Sequence, residues 1–269
     1  MSVAAGYTAA AWGVVKRDLL LFVSYRGRVV AHILTALFTI TLFYYISRMI
    51  RISAFSTPDE YFAFVVVGLA ILGALASTLT GAPMLIRQEL VAGTFERLVI
   101  SPFGALASLL SLLAFPLLLA LFTGFVTLVL AALVYDLPLQ ATAPIALPVA
   151  VLGALAFAPF GILLAAALLV LKQALAAGRF ILAGITIIAG FYFPVALLPD
   201  WIEWASYVQP FTPAVDVLRH LLVDTPLREP LWAELAKLAG FALVLIPGSV
   251  LVLVLAVETS RRRGTIVEY

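Results

Sequence analysis

Apolar residues along this chain do not alternate with polar ones but gather in six long runs, at 29–47, 61–86, 103–135, 137–171, 180–199 and 238–257. A helix needs about 20 consecutive apolar residues to cross a hydrocarbon core about 30 Å thick, and in lipid only helices and closed barrels satisfy their own backbone polar groups. The pattern therefore predicts six transmembrane helices in a single all-α domain over 1–269. The third and fourth runs exceed what a bilayer requires, so their helices must tilt, kink or lie in protein, with Pro116, Pro144, Pro148 and Pro159 as kink points. About 28 residues with four basic side chains precede the first run, which reads as a retained span and not as a cleaved signal peptide.

Between and before the runs, three stretches carry patterns of their own. Over 5–28, Trp12, Val15, Leu19, Phe22 and Val23 share one arc of a helical wheel, while Lys16, Arg17, Ser24 and Arg28 share another. That predicts an amphipathic interfacial helix, either an elbow bracing the bundle on the cytoplasmic leaflet or a leader that starts the first span. The loop 87–102 mixes charges of both signs with Leu90, Phe95, Leu98 and Val99. Thr94 can open a short helix there that ends before Pro102. Such an element fits a groove on a soluble partner, or else is a snorkelling interfacial turn. The segment 191–222 is too apolar for a solvated loop and too interrupted to span. Its prolines divide it into two short helices, and Trp201, Trp204 and Tyr207 form an interfacial aromatic belt. We read it as an outer re-entrant hairpin, whose irregular backbone must be buried in protein or line a cavity.

Composition agrees with the runs. Hydrophobic residues make up 64% of the chain and charged ones 11%, with a mean hydropathy of +1.17, against about 25% charged in ordinary soluble domains. The net charge of +2, from 16 basic and 14 acidic residues, is too even for a nucleic-acid binder. Position matters more than total. Lys16, Arg17, Arg26, Arg28, Arg87, Arg97, Lys172, Arg179, Arg261, Arg262 and Arg263 fall on one side of the six predicted spans, eleven in all, and Arg48, Arg51, Arg219, Arg228 and Lys237 on the other. By the positive-inside rule both termini are cytoplasmic, in a multi-pass protein of the cytoplasmic (inner or plasma) membrane. The absence of cysteine excludes disulfides, thiolate metal sites and cysteine nucleophiles.

Catalytic chemistry is scarce. The centres of the spans hold no Asp, Glu, Lys or Arg, the residues that mark ion pathways and buried active sites. His32 sits near a span end and His220 has no companion at metal-ligand spacing. Ser249 lies in no nucleophile motif, and no G-x-x-x-x-G-K-[ST] phosphate loop occurs, so this polypeptide does not hydrolyse ATP by itself. Milder polar groups do decorate the spans. His32, Thr35 and Thr39 share a helical face, with Tyr44, Tyr45 and Ser47 near its outer end; Ser77, Thr78 and Thr80 mark the second span, Thr186 and Tyr192 the fifth. These side chains either line a path for an amphipathic substrate or act as helix-packing glue, back-bonded to their own helices.

Two of these stretches also carry motifs. Glu89, Gly93, Thr94, Glu96, Leu98 and Pro102 follow the pattern E-x(n)-G-T-x-E-x-L-x-x-x-P. Phe193-Pro194, then Leu198-Pro199 with Trp201, then Pro210, Thr212 and Pro213 followed by Asp216 and Arg219, form a second ordered set. In these motifs, and in six spans with an amphipathic start, the chain resembles the membrane subunits of type 2 ABC exporters over nearly its whole length. The resemblance implies a half-channel that dimerises with a second copy of itself. A separate ABC ATPase subunit would hold ATP and Mg, no cofactor would bind to this chain, and no nucleic acid would be involved. It implies ATPase docking on the elbow and on a coupling helix, through Glu89, Gly93, Thr94, Glu96, Arg97 and Leu98. It also implies a path bordered by the first, second and fifth spans, where His32, Thr35, Thr39, Tyr44, Thr78, Thr186 and Tyr192 are candidates. The hairpin with Phe193, Pro194, Pro199, Trp201, Pro210, Pro213, Asp216 and Arg219 would cap its outer end, Asp216 and Arg219 pairing with each other on one helical face. The cargo expected is drug-like, a lipid or a lipid-linked glycan. The rival reading is a membrane scaffold or sensor that docks a regulatory protein without transport.

Overall fold

The computed structural model describes residues 3–50, 52–95, 97, 105–171 and 174–263, and among them every regular element is helical. In chain order the α-helices are α1 (Val3–Ser24), α2 (Arg26–Met49), α3 (Pro58–Val91), α4 (Ala105–Tyr135), α5 (Ala146–Leu171), α6 (Ala174–Ile188), α7 (Asp200–Glu203), α8 (Phe211–Val223) and α9 (Leu231–Arg263). Among the described residues, α2, α3, α4, α5 and α9 are long and apolar enough to cross a membrane.

The fifth apolar run behaves differently from the expectation of one span over 180–199. Its helix, described over Ala174–Ile188, stops well before the run does. The chain then turns at Gly190, whose φ of +73° favours a residue without Cβ. Pro194 and Pro199 cannot donate to a helical ladder, which keeps the following stretch in single turns.

Local chemistry sets the other boundaries. Thr57 caps α3 by accepting from the Glu60 N–H at 3.1 Å, and Glu60 reaches back to the Ser56 N–H at 2.8 Å, with Pro58 in the first turn. Pro116 and Pro159 lie inside α4 and α5. Pro144 and Pro148 instead start elements, in a 3₁₀ turn at Ala143–Ile145 and in the first turn of α5. A missing N–H is harmless at those positions.

The centre of the bundle is α3, which packs on α2, α4, α5, α6 and α8, while α9 runs along α5. Small residues allow the close approaches. A Cβ at Gly161 would lie 2.5 Å from the Thr78 carbonyl oxygen, so α5 touches the backbone of α3 there. The buried Ser260 hydroxyl donates to the Leu169 carbonyl at 3.0 Å and ties α9 to α5. By contrast, α2 packs on one side only: Ile40 and Ser47 are buried, and its other residues are half-buried or exposed.

The amphipathic arc of α1 divides in two. Val15, Asp18 and Phe22 are buried, whereas Trp12, Leu19 and Val23 are exposed. The buried stripe has the i, i+3, i+7 spacing that meets a neighbouring helix, and Phe22 sits among His32, Phe115 and Phe122 with ring centroids 5.6 to 6.1 Å away. Helix α1 breaks at Tyr25, so Arg26 and Arg28 belong to α2.

Candidate functional site

The end of the bundle where Arg17 on α1 meets the last turn of α3, near Arg87, holds the first candidate. Helix α3 ends at Val91, and Ala92 and Gly93 reverse the chain, Gly93 at φ +67°. Backbone bonds from Ala92 N–H to Gln88 O (2.9 Å) and from Thr94 N–H to Glu89 O (3.0 Å) close the turn. Phe95 follows and is 1% exposed, inserted among side chains of α3, α4, α5 and α9. It anchors a loop that would otherwise hang in solvent.

Glu89 stands at the centre of that turn. Its Oε1 accepts from Arg17 Nη2 at 3.2 Å, and Oε2 accepts from the Thr94 hydroxyl. The same guanidinium donates from Nε to Asp18 Oδ1 at 2.8 Å. One cation thus ties α1 to the last turn of α3, and the sequence reading of Arg17 as a polar-face charge missed it. Phe95 and Arg97 are helical, and Arg97 is exposed. Glu96, Leu98 and Pro102 lie outside the described residues, so the expected short helix ending before Pro102 is described only at its start.

The path candidates divide. Thr39, Ser77, Thr78, Thr80 and Thr186 each donate to the carbonyl one turn back in their own helices, at 2.6 to 2.9 Å. Their hydrogen-bonding capacity is used locally. Thr78 is buried against α5, beside a cavity of about 170 Å³ between α3, α4, α5 and α9. Thr35 on α2 is exposed, and His32 is half-buried beside Phe22. Tyr192 stacks flat on Phe43 with centroids 5.2 Å apart, joining α2 to the segment after α6. Tyr44 packs with Tyr45, Phe62 and Tyr135.

At the opposite end, the 191–222 segment differs in its two arms. The first is a string of single turns through Val195–Leu197, α7 and Trp204–Ser206, not one short helix. Trp201, Trp204 and Tyr207 are all exposed along it. Phe193 and Pro194 are half-buried and Pro199 exposed. The second arm is α8, nearly all of whose residues are buried, including Pro213; Pro210, just before it, is buried as well. Gln209 opens α8 by accepting from the Phe211 N–H at 2.8 Å and bonding the Thr212 hydroxyl.

Arg219 is the hub of this end. It does not pair with Asp216. Its Nε donates to Phe64 O at 3.0 Å, Nη1 to Gly190 O at 2.9 Å and Nη2 to Phe191 O at 2.8 Å. The guanidinium lies 3.3 Å from the centroid of the Phe64 ring. Burial lowers it to about 9, against the favourable field of Asp216, which leaves it charged at neutral pH. Helix α3 can come this close only because residue 68 is glycine: a Cβ there would lie 2.1 Å from Phe191 O and 2.7 Å from Arg219 Nη2. Gly68 was passed over in the sequence, although a glycine inside a helical run signals close approach. Asp216 instead faces Arg228, 3.5 Å from Nε to Oδ2 without an aligned hydrogen bond, and burial raises its carboxyl.

In this geometry, among the described residues, no three His, Cys, Asp or Glu side chains gather at metal-ligand spacing. What it does assemble is a clamp at one end, a pinned segment at the other, and a lightly buried apolar helix beside them. Compared with known families, residues 10–223, from α1 through α8, match the family model described as ABC-2 type transporter. No curated protein matches the chain.

Proposed function

The chain belongs to the ABC-2 type transporter family, and from that premise we propose that it is one half of an ATP-driven exporter, paired with a second copy and powered by a separate ATPase subunit. The family membership makes it a multi-pass membrane permease, a transport component that is not itself catalytic. The observation that carries the finer reading is the extent of the match, which takes in the elbow, the loop after α3 and the segment built around Arg219 in one continuous stretch.

The clamp supports docking of the ATPase at the basic end. Arg17 and Glu89 hold α1 and the turn at Gly93 and Thr94 in one orientation, and the docking contacts would be made by Glu96, Arg97 and Leu98. ATP and Mg belong to the partner, since no phosphate loop occurs here. Burial supports the second copy: α2 buries only Ile40 and Ser47 within the chain, whereas α3 buries more than half of its residues. An apolar helix so lightly covered is free to meet lipid or another copy. Its face with His32, Thr35, Thr39 and Tyr44, together with α3 and α6, would border the path. The cargo would be amphipathic or hydrophobic, such as a drug-like molecule, a lipid or a lipid-linked glycan, moved outward across the cytoplasmic membrane.

The experiment is to purify the tagged chain from its native membrane in mild detergent, identify what accompanies it and assay ATP hydrolysis. A co-purifying subunit with a phosphate loop, whose ATPase activity depends on this chain, is the expected result. Isolation without an ATPase, under conditions that preserve other membrane complexes, would overturn the reading.

A further inference from the structure

A cavity of about 150 Å³ lies between α3, α4, α5 and α8. Every side chain lining it is apolar, and many are small, among them Ala70, Ala74, Gly124, Ala150 and Gly153. Gly124 brings α4 against α3, since a Cβ there would lie 3.3 Å from the Ala70 carbonyl oxygen. The short side chains of Ala70 and Ala74 then leave space that no neighbour fills. Phe125 and Leu147 belong to the lining and are 65% and 63% exposed. The cavity therefore opens between α4 and α5 onto the apolar flank of the bundle.

Its chemistry restricts the occupant. A dry cavity of roughly 150 Å³ lined by apolar side chains excludes water and takes up a molecule such as benzene. Left empty, its walls would lose the contacts that close packing gives. No side-chain donor, acceptor or charge lines it to recognise a polar group. Its residues on α3 lie toward the start of that helix and those on α4 toward its end, so the cavity sits in the half of the bundle away from the Arg17–Glu89 clamp. At that depth on a membrane protein's flank, the apolar chain always at hand is a lipid tail.

We propose that this cavity holds the acyl chain of a bilayer phospholipid, recognised by its methylene tail alone and independently of its headgroup. The mouth lies on α4 and α5, apart from the path proposed along α2, α3 and α6, so the site stands whether or not that path is correct. Lipid seated here fills the wedge between α8 and its neighbours and supports the end of the bundle pinned by Arg219.

The test uses the full chain in phosphatidylcholine vesicles doped with a phosphatidylcholine that carries a diazirine in mid-chain. After photolysis, labelled peptides are mapped by mass spectrometry. Labelling is expected to concentrate several-fold on 120–128 and 143–154 relative to the exposed α9 flank at Leu243 and Val244, and to saturate as the probe fraction rises. Ala74→Leu and Ala150→Leu, which fill the cavity from different walls, should each lower it several-fold without changing α9 labelling. The same pattern should persist in phosphatidylglycerol vesicles. Labelling no greater than on α9, a linear rise with probe fraction, or no response to either variant overturns the proposal. A cross-link from these peptides to a second copy of the chain does so too, by assigning the cavity to subunit packing. If both variants fail to insert, saturation in the unmodified chain decides.

Discussion

A buried guanidinium is tolerated in an apolar bundle only where its donors meet acceptors, and Arg219 meets three backbone carbonyls. Two of those, at Gly190 and Phe191, lie just past the end of α6, where the chain has left the helix. A lysine keeps the charge but offers a point donor in place of a planar fork. Arg219→Lys should therefore destabilise the protein by about 2–4 kcal/mol, seen as a lower melting temperature of the detergent-purified chain. Gly68→Ala should do comparable harm, because its Cβ would collide with the Phe191 carbonyl. Gly73→Ala, on the same helix with nothing within 4 Å of the new atom, should be neutral or stabilising by up to about 1 kcal/mol. Equal melting temperatures for the two alanine variants would show that α3 does not approach the segment so closely.

Between elements, the Arg17–Glu89 pair acts through orientation more than through stability. Arg17 is 45% exposed, and such pairs contribute about 0–1 kcal/mol after solvent screening. Glu89→Ala should leave melting nearly unchanged while loosening α1 against the turn at Gly93, whereas Arg17→Ala loosens it too but also strands the buried Asp18 carboxylate and should lower melting. Spin labels at Gly13→Cys and Gln88→Cys should then report a broader distance distribution for each alanine variant, and no further broadening when both are combined. A distribution as narrow as in the parent would remove the clamp. The same pair shows where sequence reading stops. Helices α2, α3, α4, α5 and α9 were legible because a long apolar run has few other uses. The 180–199 run misled because hydropathy cannot distinguish a residue facing lipid from one facing protein: Phe191 and Val195 are apolar because they are buried in the bundle, after the helix has ended. Proximity in sequence suggested Asp216 for Arg219, three residues away, whereas its acceptors are 28, 29 and 155 residues away. Likewise Arg17 and Glu89 are 72 residues apart. Arg219 was singled out in the 191–222 segment, but its bonds to the Phe64, Gly190 and Phe191 carbonyls were not legible.

For the whole molecule, two asymmetries make commitments. The first is burial: if α2 meets a second copy, Phe38→Cys, at a position 71% exposed on that helix, should form a covalent dimer under mild oxidation, while Leu243→Cys on α9 should not. Dimers through α9 alone would move the interface. The second is charge. The bundle has a basic end and an opposite end, and translocating Lys and Arg is the disfavoured event during insertion. Because the chain has no cysteine, single reporters can be read without background. Gln88 at the last turns of α3 and Gln140 in the loop before α5 are both exposed. In intact cells an impermeant maleimide should label Gln140→Cys at once, and Gln88→Cys only after the membrane is permeabilised. The opposite pattern would put the clamp outside the cell, where no cytoplasmic ATPase could reach it, and would remove the energy source on which the exporter reading depends.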